Sequence, residues 1–279
     1  MLLAAGARAD ADGDAPALFA DSFQLNAPER RIALRTRLEL GALSVLEHRI
    51  QYGETTEVDY REDADQDTLF FFARVSAELG VGAHSLVFLY QPLSLRTETV
   101  VGRDITIGEV TFPAETPVRF GYGFDFYRLA YQYDIYGDKG RELAFGVGFQ
   151  VRNARVSFLR SNGTEGFTET NLGIVPLLRM RGRYVFANAL FLEAELDGWV
   201  SPVPGQGTRD GRLALGAIVD LAFRGGVRVT RTIEAFLTLR YLGGGFRGES
   251  SADTPLRGSD PWNANWLHTF VLSLGLGMH

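Results

Sequence analysis

The chain of 279 residues carries a net charge of −6, contains no cysteine and has 32 glycines, and its 20 phenylalanines and 10 tyrosines far outnumber its 3 methionines. The acidic balance, and the lack of a basic run with interleaved aromatic residues, argue against a nucleic-acid partner. No apolar run approaches the roughly 18 residues of a membrane-spanning helix. No Pro/Ser-rich or low-complexity linker divides the chain, so we expect one domain.

The first 30 residues are predicted to be the remainder of a signal peptide or an N-terminal extension. The segment MLLAAGARADADGDAPA starts with a short apolar stretch, and Ala9 and Ala11 fit the small-residue rule for signal-peptide cleavage. The segment lacks a basic start, and an ordinary disordered terminus is the alternative. Residues 31–279 are assigned to a single further domain.

Ten segments of that domain alternate apolar and polar residues with a period of two, which predicts β-strands whose two faces meet different surroundings. The first runs from Arg31 to Tyr52, longer than the 9 to 11 or so tilted residues that a bilayer requires. The other nine begin, in chain order, near Leu69, Ser85, Val118, Leu143, Leu172, Leu190, Leu213, Ile233 and Trp266.

The fourth strand alternates less regularly than the others. Aromatic residues at even positions between 120 and 126 alternate with Gly121 and Gly123, and we expect the aromatic side chains to face outward and the glycines inward. The alternation then slips near Tyr127, which indicates a β-bulge.

The clearest alternation lies in residues 171–199, which predict a hairpin. Three arginines occupy odd positions on its first arm, and three carboxylates occupy odd positions on its second arm. Pairing the arms about Asn188 places each arginine opposite a carboxylate, on the face away from the leucines. We predict that these six residues form a charge ladder in a barrel lumen: Arg179, Arg181, Arg183, Glu193, Glu195 and Asp197.

Charged residues on the other strands share this face. A ten-stranded barrel has a narrow interior, and buried charges persist only when they are paired. A stabilising polar core is therefore one interpretation of the charged face, and a narrow solute pathway is the other. The further residues predicted to face the lumen are Arg35, Arg37, Glu39, Arg74, Glu78, Asp220, Glu234 and Arg240.

The connections between predicted strands differ in length in a regular way. Those after the second, fourth, sixth and eighth strands are short, and those after the odd-numbered strands are longer. An even number of strands with tight turns at one end and long loops at the other is typical of membrane barrels. A soluble sandwich or lipocalin-like barrel would not place charges systematically opposite its apolar face. The sequence thus predicts an all-β fold, a transmembrane antiparallel up-and-down β-barrel of about ten strands.

With this pattern the chain resembles a bacterial outer-membrane β-barrel of the small, up-and-down kind, over residues 31–279. The resemblance implies a Gram-negative outer-membrane location, contact with outer-membrane lipid and lipopolysaccharide, and insertion by the barrel-assembly machinery. The final strand of such barrels usually ends in an aromatic residue, and His279 departs from this pattern. Ten strands is also the number in the omptin proteases, but the acidic residues and Asp-His pair that they carry near the outer rim have no counterpart that we can place.

Aromatic residues near the predicted strand ends fit belts at the two membrane interfaces. Those assigned to the loop side are Tyr52, Trp262 and Trp266, and those assigned to the opposite side are Tyr184, Phe186 and Phe223.

Histidines are the residues on which an enzymatic interpretation depends. By parity, His48 and His268 lie on the outward face near the outer rim, on strands that become neighbours when the barrel closes. An interfacial role is one interpretation, and the catalytic base of a lipid A deacylase-like enzyme is the other. The acidic run around Asp63 suggests a calcium or lipopolysaccharide bridge at most, and a solvated loop otherwise. No catalytic residue, metal site or cofactor is assigned.

The function predicted from the sequence is that of a non-enzymatic outer-membrane barrel, structural or porin-like, with small solutes as possible cargo of a narrow passive channel. The alternative is an outer-membrane enzyme that acts on lipid A or peptides at the outer rim.

Overall fold

The computed structural model describes residues 24–26, 31–136, 140–163, 165–187, 189–202, 208–209, 212–249 and 262–279. The predicted signal peptide or N-terminal extension lies outside these residues, except for Gln24–Asn26, a short strand that pairs with the start of the first barrel strand. Within the described part of the chain, no helix is long and apolar enough to cross a bilayer.

Ten long strands form the barrel wall, and we number them in chain order. They are β1 Arg31–Tyr52, β2 Leu69–Val81, β3 His84–Val100, β4 Pro117–Asp134, β5 Arg141–Arg160, β6 Gly166–Val185, β7 Leu190–Pro202, β8 Leu215–Arg228, β9 Ile233–Glu249 and β10 Trp262–Met278. Each strand pairs antiparallel with the next, and β10 pairs with β1, which closes the barrel. The predicted ten-stranded antiparallel barrel is confirmed.

The two ends of the barrel differ as the sequence predicts, with one exception. At the turn end, β2 and β3 are joined by two residues, and Gly82 has the positive φ of 62° that such a tight hairpin turn requires. At the loop end, residues 53–68 and 101–116 form long connections. The exception is the connection after β5, which is as short as a turn because β5 and β6 are each 20 residues long and remain paired up to Leu159 and Gly166.

The outer surface of the barrel is apolar over a belt next to the turn end. Leucines on β7 and β10 illustrate it, since Leu192 is 57% exposed and Leu274 69% exposed although both lie in the middle of paired strands. Exposed leucine, valine and phenylalanine side chains in such a belt are typical of a lipid-facing barrel surface.

The predicted hairpin has the expected register. Arg183 lies opposite Glu193, Arg181 opposite Glu195 and Arg179 opposite Asp197. All six side chains point into the barrel and are buried. Register and facing of this hairpin could therefore be predicted from the alternation alone.

A β-bulge in β1 overturns two predicted positions. The pairing of β10 with β1 shifts between His268 and Thr269, so that Leu46 and Glu47 both face outward. Because one extra residue reverses the facing of everything that follows, His48 and Tyr52 point into the barrel, where both are buried. The outward position predicted for His48 is wrong, and Tyr52 does not belong to the aromatic belt.

The facing predicted for the fourth strand is also wrong in its loop-end part. Phe120, Tyr122, Phe124 and Phe126 are buried inside the barrel, and the alternating glycines lie on the outer face. Registers with β3 and β5 continue past Tyr127 without a shift. No bulge is needed, because the interior itself changes from charged to apolar along the strand.

Above the charged region, the interior is filled by a hydrophobic core that includes the first two long loops. Tyr60 from residues 53–68 stacks on His48, with ring centroids 4.1 Å apart, and a small hairpin of Ile105–Ile107 and Val110–Phe112 adds further apolar side chains. We call this group the apolar core; its main members are Leu43, Val45, Val58, Tyr60, Phe72, Leu93, Leu95, Ile105, Ile107, Phe112, Val118, Phe120, Phe126 and Phe158. The first two loops therefore pack into the barrel mouth rather than stand away from it.

Candidate functional site

The strongest concentration of polar chemistry is a layer of paired charges across the turn-end half of the barrel. We call it the charged layer, and it combines nine arginines with eight carboxylates. Its members are Arg35, Arg37, Arg74, Arg128, Arg179, Arg181, Arg183, Arg224 and Arg240 with Glu39, Glu78, Glu142, Glu193, Glu195, Asp197, Asp220 and Glu234. Every predicted lumen-facing residue belongs to it.

Arg181 organises the part of the layer nearest the turns. Its Nη1 and Nη2 atoms lie 2.6 and 2.7 Å from the carboxylate oxygens of Glu78 on β2, across the barrel, and its Nε donates to Glu142 on β5. Glu195, which faces Arg181 in the hairpin register, pairs instead with Arg179 and Arg224. The predicted ladder thus continues across the lumen rather than staying within its hairpin.

Glu193 is the centre of the middle part. Its two oxygens accept hydrogen bonds from Arg37 at 2.7 Å each, from Arg183 at 2.9 Å and from Arg224 at 2.6 Å. Arg183 also donates to Glu234 at 2.5 Å. Three guanidinium groups from three strands therefore share one carboxylate, which compensates the cost of burying it.

Asp220 connects three arginines in the part of the charged layer nearest the loop end. It accepts from Arg240 at 2.5 Å, from Arg128 at 2.9 Å and from Arg74 at 3.0 Å, and Arg128 also reaches Asp197 at 2.5 Å. Arg128 is not among the residues predicted to face the lumen, although the alternation of Tyr127, Leu129 and Tyr131 on the outer face places it there.

Two strands without charges in the layer contribute neutral polar groups. On β3, Gln91 accepts from Arg74 at 3.2 Å, and on β10, Ser273 donates to Glu39 at 3.2 Å. All ten strands are thereby connected through the lumen. A cavity of about 10 Å³ remains among these side chains, which is room for about one water molecule.

The C-terminal residue closes the layer at the turn end. His279 Nδ1 accepts from Arg35 Nε at 3.1 Å, and its Nε2 atom lies 2.7 Å from Glu234. Parity places His279 on the lumen side, since Met278 faces outward, but the sequence alone does not show that Arg35 and Glu234 are its partners.

The two histidines named as catalytic candidates do not meet. They lie on neighbouring strands, with Leu267 opposite His48 and His268 opposite Glu47, but on opposite faces of the wall. His48 is buried beside Gln66, at 2.8 Å, whereas His268 faces outward and its Nδ1 lies 2.6 Å from the Tyr241 hydroxyl.

The remaining residues predicted for the aromatic belts lie on the outer face. Tyr184 and Phe186 contact each other near the turn end with ring centroids 4.8 Å apart, and Trp266 stacks on His268 near the loop end. Phe223 and Trp262 also belong to the outward-facing positions of β8 and β10.

The acidic loop after β1 is used for contacts within the protein. Asp63 receives two hydrogen bonds from Arg103, of 2.6 and 2.8 Å, which join the first long loop to the second. Among the residues that the structure describes, no group of three or more histidines and carboxylates is arranged to hold a metal ion.

Comparison with known proteins defines the class of fold. No protein-family model and no curated protein matches the chain. Among solved structures, the outer membrane protease OmpT of Escherichia coli is 10% identical, with a TM-score of 0.58, over 88% of this chain and 96% of that one. The transport unit of the autotransporter AIDA-I from Escherichia coli is 9% identical over 95% of each chain, with a TM-score of 0.44. The Pseudomonas putida toluene transporter TodX is 6% identical over 88% of this chain and 89% of that one, with a TM-score of 0.33.

At these identities the likeness concerns the fold alone, and proteins of different activity share it. The closed ten-stranded barrel with its apolar outer belt has the architecture of a transmembrane β-barrel, and the likeness to OmpT concerns this fold.

Proposed function

We propose that the protein is a non-enzymatic, structural outer-membrane barrel that does not conduct solutes along its axis. The observation that carries the proposal is the charged layer, which spans the full cross-section with cross-barrel hydrogen bonds such as Arg37–Glu193 and Arg181–Glu78. Of the two interpretations of the charged face, this geometry favours a stabilising polar core over a solute pathway.

Two features support a closed axis. The guanidinium and carboxylate groups of the layer are held by several partners each, so opening a path would leave buried charges without compensation. Above the layer, the apolar core fills the barrel mouth with loop side chains such as Tyr60 and Phe112, which are fully buried. An ion would have to pass both obstacles in sequence.

Planar-bilayer recording tests the proposal. Purified protein in a bilayer should give no resolved conductance steps in monovalent salt. A matched charge-neutral double variant, Arg37→Ser with Glu193→Ser, removes a cross-barrel pair and should admit ions if it folds, as judged by heat-modifiable gel mobility. Regular steps from the unaltered protein would contradict a closed barrel and restore the channel interpretation.

A further inference from the structure

The barrel wall has a gap between β6 and β7 that begins directly above the charged layer, where outward-facing residues such as Ile174 are still apolar. The two strands pair from Val185 and Phe191 up to Leu178 and Gly198, and no pairing between them continues beyond that point among the described residues. Both strands go on, β6 paired with β5 up to Gly166 and β7 paired with β8 up to Pro202. Each strand therefore ends in a sheet edge that faces the other across the gap.

The residues at the gap are typical of an unpaired strand edge and not of two hydrogen-bonded strands. Pro176 and Pro202 lack the amide hydrogen that a central strand would donate. On the outer side, Ile174 is 72% exposed and Val200 61% exposed. An unpaired strand edge at membrane depth is tolerated where it lines a cavity, and here a cavity lies directly behind it.

The cavity has a volume of about 300 Å³, at the small end of the range for ligand pockets. It is bounded by Val175 and Trp199 at the gap, and by side chains of the upper interior behind it, including Phe124, Leu242 and Leu267. Gly216 also lines it, and a Cβ atom added there would have no neighbour within 4 Å. The walls of the cavity are thus mostly apolar, and the space beside Gly216 is large enough for an added side chain.

Two polar side chains lining this cavity lack partners. Gln150 is fully buried; its Oε1 accepts from Arg128, but its Nε2 has no hydrogen-bond partner. Arg152 lies over Gly173 with its Nε buried and unpartnered, and it forms no ion pair with a carboxylate of the described residues. Every arginine of the charged layer has a carboxylate partner, whereas the partly buried Arg152 has none among the described residues and is therefore free to receive an anion from outside the chain.

We propose that this cavity binds an aliphatic carboxylate of medium chain length, which reaches it sideways from the membrane through the gap between β6 and β7. The carboxylate accepts hydrogen bonds from the Arg152 guanidinium and from Gln150 Nε2, and a charge-assisted bond of this kind is stronger than a neutral one. The hydrocarbon tail occupies the apolar space toward Leu242 and Leu267. The site adjoins the charged layer through Gln150, whose Oε1 accepts from Arg128.

Trp199 supplies a reporter within the site. The chain has 3 tryptophans, and Trp262→Phe with Trp266→Phe leaves Trp199 alone. In this background, reconstituted in phosphatidylcholine nanodiscs, ω-bromoundecanoate should quench Trp199 fluorescence in a saturable manner. The neutral analogue ω-bromoundecanol should require a concentration higher by about tenfold or more, because it lacks the charge that Arg152 recognises.

Variants separate the site from general membrane partitioning. Arg152→Gln should weaken quenching by the acid by about tenfold or more while leaving quenching by the alcohol unchanged. Gly216→Leu should abolish saturable quenching by filling the cavity. Arg155→Gln is the matched control, since Arg155 lies on the same strand but points to the outer face, and it should behave like the parent.

Folding of each variant is verified by heat-modifiable gel mobility, and Arg152→Gln should fold normally because it removes an unpaired charge. Quenching that rises linearly with the acid, without saturation, would overturn the proposal. Equal saturable quenching by acid and alcohol, unaffected by Arg152→Gln, would overturn the assignment of an anion to the site.

Discussion

The turn-end and loop-end halves of the barrel place their polar and apolar side chains on opposite faces of the wall. In the turn-end half, the lumen holds charges such as Arg181 and Glu193, and the outer face carries leucines. In the loop-end half, the lumen holds aromatic side chains such as Phe120 and Phe158, and the outer face carries Arg96, Arg119 and Arg155. The strands run through both halves without a break. The exchange of apolar and polar faces is therefore caused by the surroundings of the strands and not by a change in the strands themselves.

This difference shows what an alternating sequence pattern does and does not predict about a strand. A period of two shows that the two faces of a strand differ, but it does not show which one is buried. In the membrane the apolar face is outside, and above the membrane the same strand behaves as in a water-soluble protein, with its apolar face against a core. The transition coincides with the place where the first long loops enter the barrel mouth.

Reversing a charge in the charged layer should have the largest effect. Arg181→Glu would place a carboxylate beside Glu78 and Glu142 in a buried site, and removing one partner of a buried pair alone costs about 3–5 kcal/mol. We expect a loss of unfolding free energy above that range, measured by urea titration with tryptophan fluorescence in lipid vesicles.

Leu178→Ala is the control for Arg181→Glu, since Leu178 lies on the same strand, faces lipid and is 56% exposed. It should destabilise far less. Combining Arg181→Glu with Glu78→Arg should recover part of the loss, because the cross-barrel pair is restored in the opposite sense. Equal tolerance of the two single changes would show that the layer does not stabilise the barrel.

Truncation in the apolar core should have the next largest effect. Tyr60 is fully buried against His48, Phe120 and Phe158, and large aromatic-to-alanine changes in cores cost about 3–5 kcal/mol. Because residues 53–68 can detach without opening the wall, we expect Tyr60→Ala to act mainly by exposing this loop to proteases. Limited proteolysis should show new cleavage there while the heat-modifiable band persists.

The matched variant Tyr60→Phe separates packing from polarity. The Tyr60 hydroxyl is buried and has no hydrogen-bond partner, and burial raises the pKa of this phenol well above its usual value. Removing it should be neutral or slightly stabilising. A loss of stability comparable with that of Tyr60→Ala would mean that the hydroxyl, and not the ring, holds the loop.

Breaking the ion pair between the two long loops should have a small effect. Arg103 is 49% exposed in its side chain, and exposed pairs contribute about 0–1 kcal/mol. Arg103→Gln should therefore change the unfolding free energy by less than about 1 kcal/mol, and less still at high salt, by the same urea titration. A loss as large as that of Arg181→Glu would remove the distinction between loop charges and the charged layer.

The sequence predicted the turn-end half well. The register of the hairpin around Asn188, the lumen position of Asp220 and Glu234 and the closure of β10 on β1 all follow from alternation and strand count. In that half the lipid demands apolar residues outside, and the narrow lumen demands paired charges, so both faces are constrained.

The loop-end half could not be predicted in the same way. One extra residue at Leu46 turns His48 inward, and nothing in the local sequence distinguishes this bulge from regular alternation. The inward facing of Phe124 depends on loops that are distant in sequence, and so does the partnerless state of Arg152. Tertiary contacts determined these features.

Cysteine pairs across β6 and β7 test whether the wall is continuous in the turn-end half and open in the loop-end half. These variants should leave stability almost unchanged. The chain contains no cysteine, and Met180 and Leu196 are register partners on the lipid side. Paired antiparallel residues lie about 4.5–5.5 Å apart between Cα atoms, within the range that a disulfide spans. Met180→Cys with Leu196→Cys should therefore oxidise readily.

Pro176→Cys with Val200→Cys occupies the positions where that register would continue into the gap. These cysteines should resist direct oxidation but should be joined by a longer bismaleimide linker, as measured by gel mobility after heating. Oxidation as fast as that of the lower pair would show a continuous wall and no lateral opening. If the gap is present, joining its edges should also slow the quenching of Trp199 by ω-bromoundecanoate, because the only change is to the route by which the acid reaches Arg152.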